Sequence, residues 1–179
     1  IIYNAATGEW WYVENGKFQS NAETIAHNAN GWYYVKDGIV DFGFTGVSEN
    51  SNGIYYCQNG KVTFGYTGFG QYKEILYYFR GSSVARDVTG VMYNGEKGWI
   101  YVKEGAYDPT YTGFASNGSS TLYFENGVAA TEKTGLYLIG EECVYLTKGQ
   151  VDTTVAGFYE MSGDYYYICL LYTSPSPRD

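Results

Sequence analysis

The chain has 179 residues and a formal net charge of −8 at pH 7. An acidic surface repels phosphate backbones and anionic headgroups, so the composition argues against nucleic acid and against an anionic membrane surface as partners. No apolar run approaches the ~20 residues that a membrane-spanning helix needs, and we expect no membrane insertion. The 22 tyrosines and 24 glycines favour β-hairpins with tight turns.

A tripeptide with a central tyrosine recurs along the chain. The first copies are Trp11-Tyr12-Val13 and Tyr33-Tyr34-Val35, and neighbouring copies lie 22 or 23 residues apart. A Thr-Gly pair keeps the same spacing from Thr45-Gly46 onwards, and a turn glycine follows each tripeptide except the last. Repetition at this period is typical of stacked supersecondary units. The central tyrosines are Tyr12, Tyr34, Tyr56, Tyr78, Tyr101, Tyr123, Tyr145 and Tyr167.

Each repeat predicts two strands and a turn. In the second repeat, residues 32–35 form one strand, 36–38 form the turn, and 39–42 begin the return strand. One such hairpin is marginal in water, whereas stacked hairpins bury side chains against their neighbours. We therefore predict an all-β solenoid of about eight tandem hairpins of 22 residues, with each central tyrosine packed against the next repeat.

The repeats define the predicted organisation of the chain. Residues 1–7 are the N-terminal edge and residues 8–168 are the repeat array. Two repeats are irregular: the fourth has a shortened turn at residues 80–83, and the first lacks Thr-Gly. In its place, residues 20–26 favour either a helical turn or a degenerate repeat.

The last residues, 169–179, break the pattern. They resemble the translation of a transposase-type sequencing adapter, and the alternative is a natural Pro/Ser-rich linker. We exclude this tail from the fold prediction. Because the chain begins at Ile1 without Met, we expect it to be a fragment of a longer protein.

The segments 31–38 and 44–46 resemble the cell-wall-binding repeats of Gram-positive bacteria, and particularly the 22-residue variety of gut clostridia. That variety is similar to choline-binding and glucan-binding repeats. The resemblance implies a hairpin solenoid on a secreted or cell-surface protein. In choline-binding members it further implies an aromatic cage that holds a quaternary ammonium by cation–π attraction.

This chain departs from the cage pattern after the Thr-Gly pair. The choline-binding pattern has Trp directly after that glycine, whereas this chain has Val, Phe or Leu there. Tryptophan occurs only at Trp10, Trp11, Trp32 and Trp99. The resemblance therefore leaves both choline and sugar open as ligands.

Eight aromatic residues are candidates for ligand contact. Trp10, Trp32 and Trp99 precede tripeptides at a position that varies between repeats, which suits either a tuned contact surface or a tolerant half-exposed site. Others flank the Thr-Gly pairs and are candidate stacking platforms for sugar rings, with hairpin packing as the alternative. These are Phe44, Tyr66, Tyr111, Phe69 and Phe114.

The sequence gives little support to catalysis. His27 is the single histidine and is expected at the surface, and the carboxylates are scattered. Cys57, Cys143 and Cys169 lack the spacing of a metal or redox site, and Cys57 is expected to be a small buried apolar residue. We therefore expect no enzyme activity, no cofactor and no metal.

The leading hypothesis is a non-catalytic module that binds cell-wall polysaccharide or teichoic polymer, with or without choline, through exposed aromatic residues. Two alternatives remain open. One is a structural stalk or spacer of a surface adhesin without its own ligand. The other is the targeting segment of a wall hydrolase whose catalytic domain lies outside the chain.

Overall fold

The computed structural model describes residues 1–140 and 142–168, and the predicted tail at 169–179 lies outside the described residues. Every regular element in this part of the chain is a β-strand, and it contains no helix that is long and apolar enough to span a bilayer. In chain order the strands are β1 (Ile2–Asn4), β2 (Glu9–Trp11), β3 (Val13–Glu14), β4 (Lys17–Phe18), β5 (Thr24–Asn28), β6 (Gly31–Lys36), β7 (Ile39–Val40), β8 (Gly46–Asn50), β9 (Gly53–Cys57), β10 (Gly68–Tyr72), β11 (Ile75–Arg80), β12 (Ser83–Val84), β13 (Gly90–Asn94), β14 (Gly98–Lys103), β15 (Ala106–Tyr107), β16 (Gly113–Ser116), β17 (Thr121–Glu125), β18 (Val128–Ala129), β19 (Gly135–Ile139), β20 (Glu142–Thr147), β21 (Gln150–Val151), β22 (Gly157–Met161) and β23 (Asp164–Ile168).

The chain divides into two compact units. Of the described residues, the first contains 1–89 and 102–107, and the second contains 90–101 and those from 108 to 168. Both units are built from the same hairpin repeat, which confirms the predicted all-β class and tandem hairpins. Strand β1 extends the pairing into the predicted N-terminal edge, because Ile2–Asn4 pairs with Glu9–Trp11.

The longest hairpin in each repeat joins the strand after the Thr-Gly position to the tripeptide strand of the next repeat. In the first unit, β8 pairs with β9 and β10 pairs with β11; in the second, β16 pairs with β17 and β19 with β20. The predicted hairpin around residues 36–38 is present but short, since only Val35↔Val40 and Lys36↔Ile39 pair. The return strand predicted over 39–42 is therefore limited to Ile39–Val40.

The helical turn considered for residues 20–26 is wrong. Residues Thr24–Asn28 form β5, which pairs with β6 in a continuous register from Thr24↔Val35 to Asn28↔Gly31. This places Thr24 where later repeats have the glycine of Thr-Gly. The pairing buries Ile25 and Ala26, and that burial outweighs local helix preference.

The turns after the tripeptides have two successive residues at positive φ, as a type I′ turn requires. Asp37 has φ 50° and Gly38 has φ 78°. A Cβ on Gly38 would lie 2.5 Å from the Gln19 carbonyl oxygen, so only glycine fits there. The fourth turn uses Gly81 and Ser82, with φ values of 61° and 63°.

Ser82, rather than Gly81, occupies the turn-glycine position in that fourth turn. Its carbonyl accepts the Tyr56 N–H at 2.9 Å, just as the Gly60 carbonyl accepts the Tyr34 N–H at 2.8 Å. The Ser82 hydroxyl oxygen also accepts the Tyr66 N–H at 3.1 Å. The serine thus gains a local hydrogen bond that glycine could not make, which offsets the cost of its left-handed backbone.

Main-chain hydrogen bonds connect successive repeats within each unit. The N–H of a central tyrosine donates to the turn carbonyl of the following repeat, as Tyr12 does to Gly38 in the first unit and Tyr123 to Gly149 in the second. The turn N–H donates in return, as Gly60 does to the carbonyl of Phe44. Because these bonds involve only the backbone, they recur in repeats that carry different side chains.

The residue after the central tyrosine is buried in most repeats, and these residues belong to separate core clusters. Val35, Cys57 and Phe79 in the first unit, and Phe124 and Leu146 in the second, are 0% exposed. The predicted burial of the central tyrosine itself holds for Tyr34 and Tyr123, whereas the others are half-buried and Tyr167 is 60% exposed. Successive side chains alternate across a strand, so each tripeptide packs on both of its faces.

Candidate ligand-binding site

Two cavities with the same design lie in the first unit. The larger has a volume of about 190 Å³, and we call it the Trp32 pocket. Its lining residues are Ile25, Trp32, Tyr55, Val62 and Phe64. The smaller has a volume of about 90 Å³, and we call it the Trp10 pocket. Its lining residues are Ile1, Trp10, Asn28, Asn30, Tyr33, Val40 and Phe42.

A shift of one repeat converts the walls of the Trp10 pocket into those of the Trp32 pocket. Each contains a tryptophan before one tripeptide, the first tyrosine of the next tripeptide, and a valine and a phenylalanine from the segment after the next turn. Each pocket is therefore completed by two consecutive repeats. Concave sites with several aromatic walls are typical of small-ligand binding.

The Trp32 pocket has a packed floor and an exposed aromatic rim. Trp32 and Tyr55 are half-buried and pack against a core cluster that includes Tyr34 and Cys57. On the other side of the pocket, Phe64 is 54% exposed and has φ 58°. Positive φ is unusual for a bulky residue, and such strain concentrates at functional sites.

His27 contacts the tryptophan of this pocket. Its imidazole is exposed and lies 4.5 Å from the Trp32 ring, with the planes 30° apart. The structure thus places His27 at the surface, as the sequence predicted, and adds an aromatic contact that the sequence did not indicate. The contact holds one face of Trp32 in place beside the cavity.

The Trp10 pocket has the same aromatic walls but a different chemical environment. Phe42 is 51% exposed and meets Tyr33 edge to face, with centroids 6.0 Å apart. The ammonium of Lys61 lies 5.4 Å from the centroid of the Tyr33 ring. One ring of this pocket is therefore already in contact with a cation of the protein itself.

Trp99 occupies the same repeat position as Trp32 but has different neighbours. Leu122, Ala129 and Thr131 stand where the Trp32 pocket has Tyr55, Val62 and Phe64. Trp99 packs on a cluster that contains Leu122 and Ala129, and Tyr93 meets its ring edge to face at 5.3 Å. The residues around Trp99 thus supply packing contacts in place of the second and third aromatic walls.

The candidates that precede a threonine stack on central tyrosines. Phe44 lies 3.7 Å from Tyr34, and Tyr111 lies 3.6 Å from Tyr101 with the planes 7° apart. Tyr66 stacks in the same way on Tyr56, at 3.6 Å. One face of each ring is thereby covered, and all three are half-buried.

The hydroxyls of the two candidate tyrosines are also engaged. Tyr66 donates to the carbonyl of Phe69 at 2.8 Å, and Tyr111 donates to the carbonyl of Phe114 at 2.7 Å. Burial, together with the neighbouring tyrosine, raises the pKa of both phenols. The two phenylalanines in turn contact Tyr78 and Tyr123 across their hairpins, each at 5.2 Å. The five candidates that flank Thr-Gly positions therefore have packing partners and do not line either pocket.

Sequence reasoning identified one wall of each pocket and missed the others. Trp10 and Trp32 were candidates, whereas Tyr33, Tyr55, Phe42 and Phe64 were not. The spacing between aromatic residues of successive repeats contains a signal that could have found these four walls. Comparing each tryptophan with residues 23 and 32 positions later picks out Tyr and Phe together only after Trp10 and Trp32.

Part of the chain matches a family model described as a choline-binding repeat. The matched residues are 3–18, 21–41, 43–63 and 87–108. The tryptophan and tyrosine walls of both pockets lie within the first three segments. No curated protein matches the chain.

Solved structures show a general likeness over most of the chain. Choline binding protein F from Streptococcus pneumoniae is 22% identical over 94% of this chain and 56% of its own, with a TM-score of 0.34. CbpF in complex with ipratropium is 20% identical over 90% of this chain and 55% of its own, with a TM-score of 0.33. Alternansucrase in complex with isomaltononaose is 14% identical over 89% of this chain and 16% of its own, with a TM-score of 0.30.

The chain thus spans about half the length of choline binding protein F. All three TM-scores lie below 0.5, so only the four matched segments bear on the family. These segments cover somewhat less than half of the chain, and they match the choline-binding repeat.

Proposed function

We propose that this chain binds a cell-wall polymer without catalysis, and that the Trp32 pocket holds an organic ammonium group of the choline type. The observation that carries the proposal is the pocket with Trp32, Tyr55 and Phe64 as walls. The Trp10 pocket has the same arrangement of one tryptophan, one tyrosine and one phenylalanine. The matched choline-binding repeats support the same ligand class.

The lining of the Trp32 pocket favours a cation over a sugar. Ile25 and Val62 are aliphatic, and the polar side-chain groups in the lining are the Tyr55 hydroxyl and the Trp32 indole N–H. A sugar in a closed site needs several convergent hydrogen-bonding groups, whereas a quaternary ammonium needs only aromatic faces. Each well-placed face contributes roughly 0.5–2 kcal/mol. The net charge of −8 further favours the approach of a cationic ligand.

The proposed setting is the bacterial surface. A wall polymer presents many copies of the same group, so modest affinity at each site is sufficient when several sites engage at once. In this proposal the chain is secreted and anchors or targets a longer protein to the wall. A stalk without a ligand and the targeting segment of a wall hydrolase remain the alternatives, and only the former predicts no binding by this chain.

A titration with matched ligands tests the proposal. The full chain is titrated with choline and with its uncharged isostere 3,3-dimethyl-1-butanol, by isothermal calorimetry and saturation-transfer NMR. Two or three aromatic contacts predict a choline Kd on the order of 1 mM and binding of the isostere that is about tenfold weaker. Equal binding of the two ligands would exclude a cation site.

Two tryptophan variants locate the site. We expect Trp32→Ala to weaken choline binding by about tenfold or more, because it removes one wall. Trp99→Ala is the matched control: it removes the same side chain from the same repeat position and should leave choline affinity unchanged. Equal loss in both variants would contradict the assignment, and no choline binding by the unmodified chain would favour the stalk.

A further inference from the structure

We propose that Lys61 makes the two pockets chemically different by excluding organic cations from the Trp10 pocket and leaving it to an uncharged, hydroxyl-bearing group. The proposal rests on the proposed function, since it concerns which part of a wall polymer each pocket accepts. It assigns a specificity-determining role to a residue outside the pocket linings.

The position of Lys61 over the Tyr33 ring is fixed by the backbone. Residues Tyr33 and Lys61 form an antiparallel bridge, and the Lys61 N–H donates to the Gln58 carbonyl at 3.1 Å. A Cβ on Gly31 would lie 2.8 Å from the Lys61 side-chain Cε, so the lysine stem passes closely over a glycine. With the backbone and stem placed in this way, the ammonium lies 5.4 Å from the ring centroid.

The charge of Lys61 is not offset by an ion pair. Among residues 1–140 and 142–168, the ion pairs involve Lys73, Arg80 and Lys133, and none involves Lys61. A second cation against Tyr33 would share one ring with this ammonium and experience its repulsion. At a separation of ~10 Å and an effective dielectric constant of ~20, that repulsion weakens cation binding on the order of tenfold.

The Trp32 pocket lacks this charge at the equivalent position. Tyr55 forms the same kind of bridge as Tyr33, but its partner is Ser83. The two pockets thus share a backbone register, and the residue that follows the turn differs between them. The sequence places a cation beside one tyrosine wall and a neutral hydroxyl beside the other.

The remaining lining of the Trp10 pocket suits an uncharged polar group. Asn28 and Asn30 contribute to that lining. The Asn28 side-chain oxygen accepts the Asn30 N–H at 2.8 Å, and the NH₂ groups of amide side chains donate hydrogen bonds. Their counterparts one repeat later do not line the Trp32 pocket, and the Asn50 amide donates instead to the Ile25 carbonyl at 3.0 Å.

The number of choline sites per chain tests the role of Lys61. Calorimetry and choline-observed NMR on the full chain should give one site, which Trp32→Ala removes and Trp10→Ala does not. Lys61→Ser, which installs the residue of the other pocket, should raise the count to two, and Trp10→Ala in that background should return it to one. Lys61→Met is a second variant that keeps the aliphatic stem and removes the charge. It tests the same prediction if Lys61→Ser does not fold.

The reciprocal change and an uncharged probe complete the test. Ser83→Lys should weaken choline binding at the Trp32 pocket by about tenfold. N,N′-diacetylchitobiose should bind weakly to the unmodified chain, and Trp10→Ala should abolish that binding. Two equal choline sites in the unmodified chain, or one site in folded Lys61→Ser and Lys61→Met, would overturn the role of Lys61 while leaving the proposed function intact. No chitobiose binding would overturn the assigned occupant, and no choline binding in any variant would overturn the proposed function.

Discussion

Trp32 and Trp99 occupy the same position in two repeats and have different surroundings. Beside Trp32, a small Cys57 in the floor and the walls Tyr55 and Phe64 leave a cavity. Beside Trp99, the fully buried Phe124 fills the floor, and Leu122 belongs to the same packed cluster. A repeat position therefore acquires its surroundings from residues one repeat further along the chain.

Truncating the two floor residues should give the largest difference between these sites. We expect Phe124→Ala to lower the free energy of unfolding by about 3–5 kcal/mol, because a 0% exposed ring leaves a cavity beneath Trp99. Cys57→Ala removes a single buried sulfur and should cost about 1 kcal/mol. Urea denaturation followed by circular dichroism measures both. Similar losses in the two variants would mean that the floors do not differ as described.

Exchanging one wall should make the surroundings of Trp32 resemble those of Trp99. Tyr55→Leu installs the residue found at the equivalent position beside Trp99, and it should weaken choline binding by about tenfold through loss of a cation–π contact. The free energy of unfolding should change by less than about 1.5 kcal/mol, since one half-buried apolar side chain replaces another. Tyr77→Leu is the control, because the repeat before that of Tyr77 has Ile54 in place of a tryptophan. A weaker affinity in the control would argue for an indirect effect.

Replacing the strained rim residue should separate binding from stability. Phe64→Gly relieves the backbone cost of φ 58° at an exposed position, so the free energy of unfolding should stay constant or rise by up to about 1 kcal/mol. Choline affinity should fall several-fold at the same time.

Phe42→Gly provides the matched control for that prediction. Phe42 is about as exposed as Phe64 but is not among the residues with positive φ, so its truncation should lower stability by up to about 1 kcal/mol. Thermal unfolding and calorimetric titration of both variants decide the point. A loss of stability in Phe64→Gly comparable to that in Phe42→Gly would show that the backbone at Phe64 carries no strain.

Much of the repeat architecture could be predicted from spacing alone. The recurrence of the central tyrosine located every repeat, and Thr-Gly and the turn glycine kept the same spacing in most of them. The turn at Asp37-Gly38 could be predicted too, since Asp and Gly are residue types that favour the two positive φ values of a type I′ turn. The aromatic position before the tripeptide likewise drew attention to Trp10 and Trp32.

The features that escaped prediction depend on contacts between repeats. The identity of Ser82 as a turn glycine equivalent follows from the hydrogen bond that its carbonyl accepts, which the sequence does not display. The stacking of Tyr111 on Tyr101, which covers one face of a candidate platform, is likewise not visible in the sequence. The pockets require Trp32 and Phe64 to be considered together although 32 positions separate them, and no local pattern joins two such residues.

The backbone links between successive repeats bear on how such an array can evolve. The N–H of Tyr34 and the carbonyl of Gly60 join two repeats through a backbone hydrogen bond. A repeat can therefore lose the aromatic walls of its pocket while its neighbours remain in place. Duplication or drift of single repeats then changes the valency of the array one site at a time. Under the proposed function, such changes adjust the affinity for a wall polymer while the hairpin backbone stays the same.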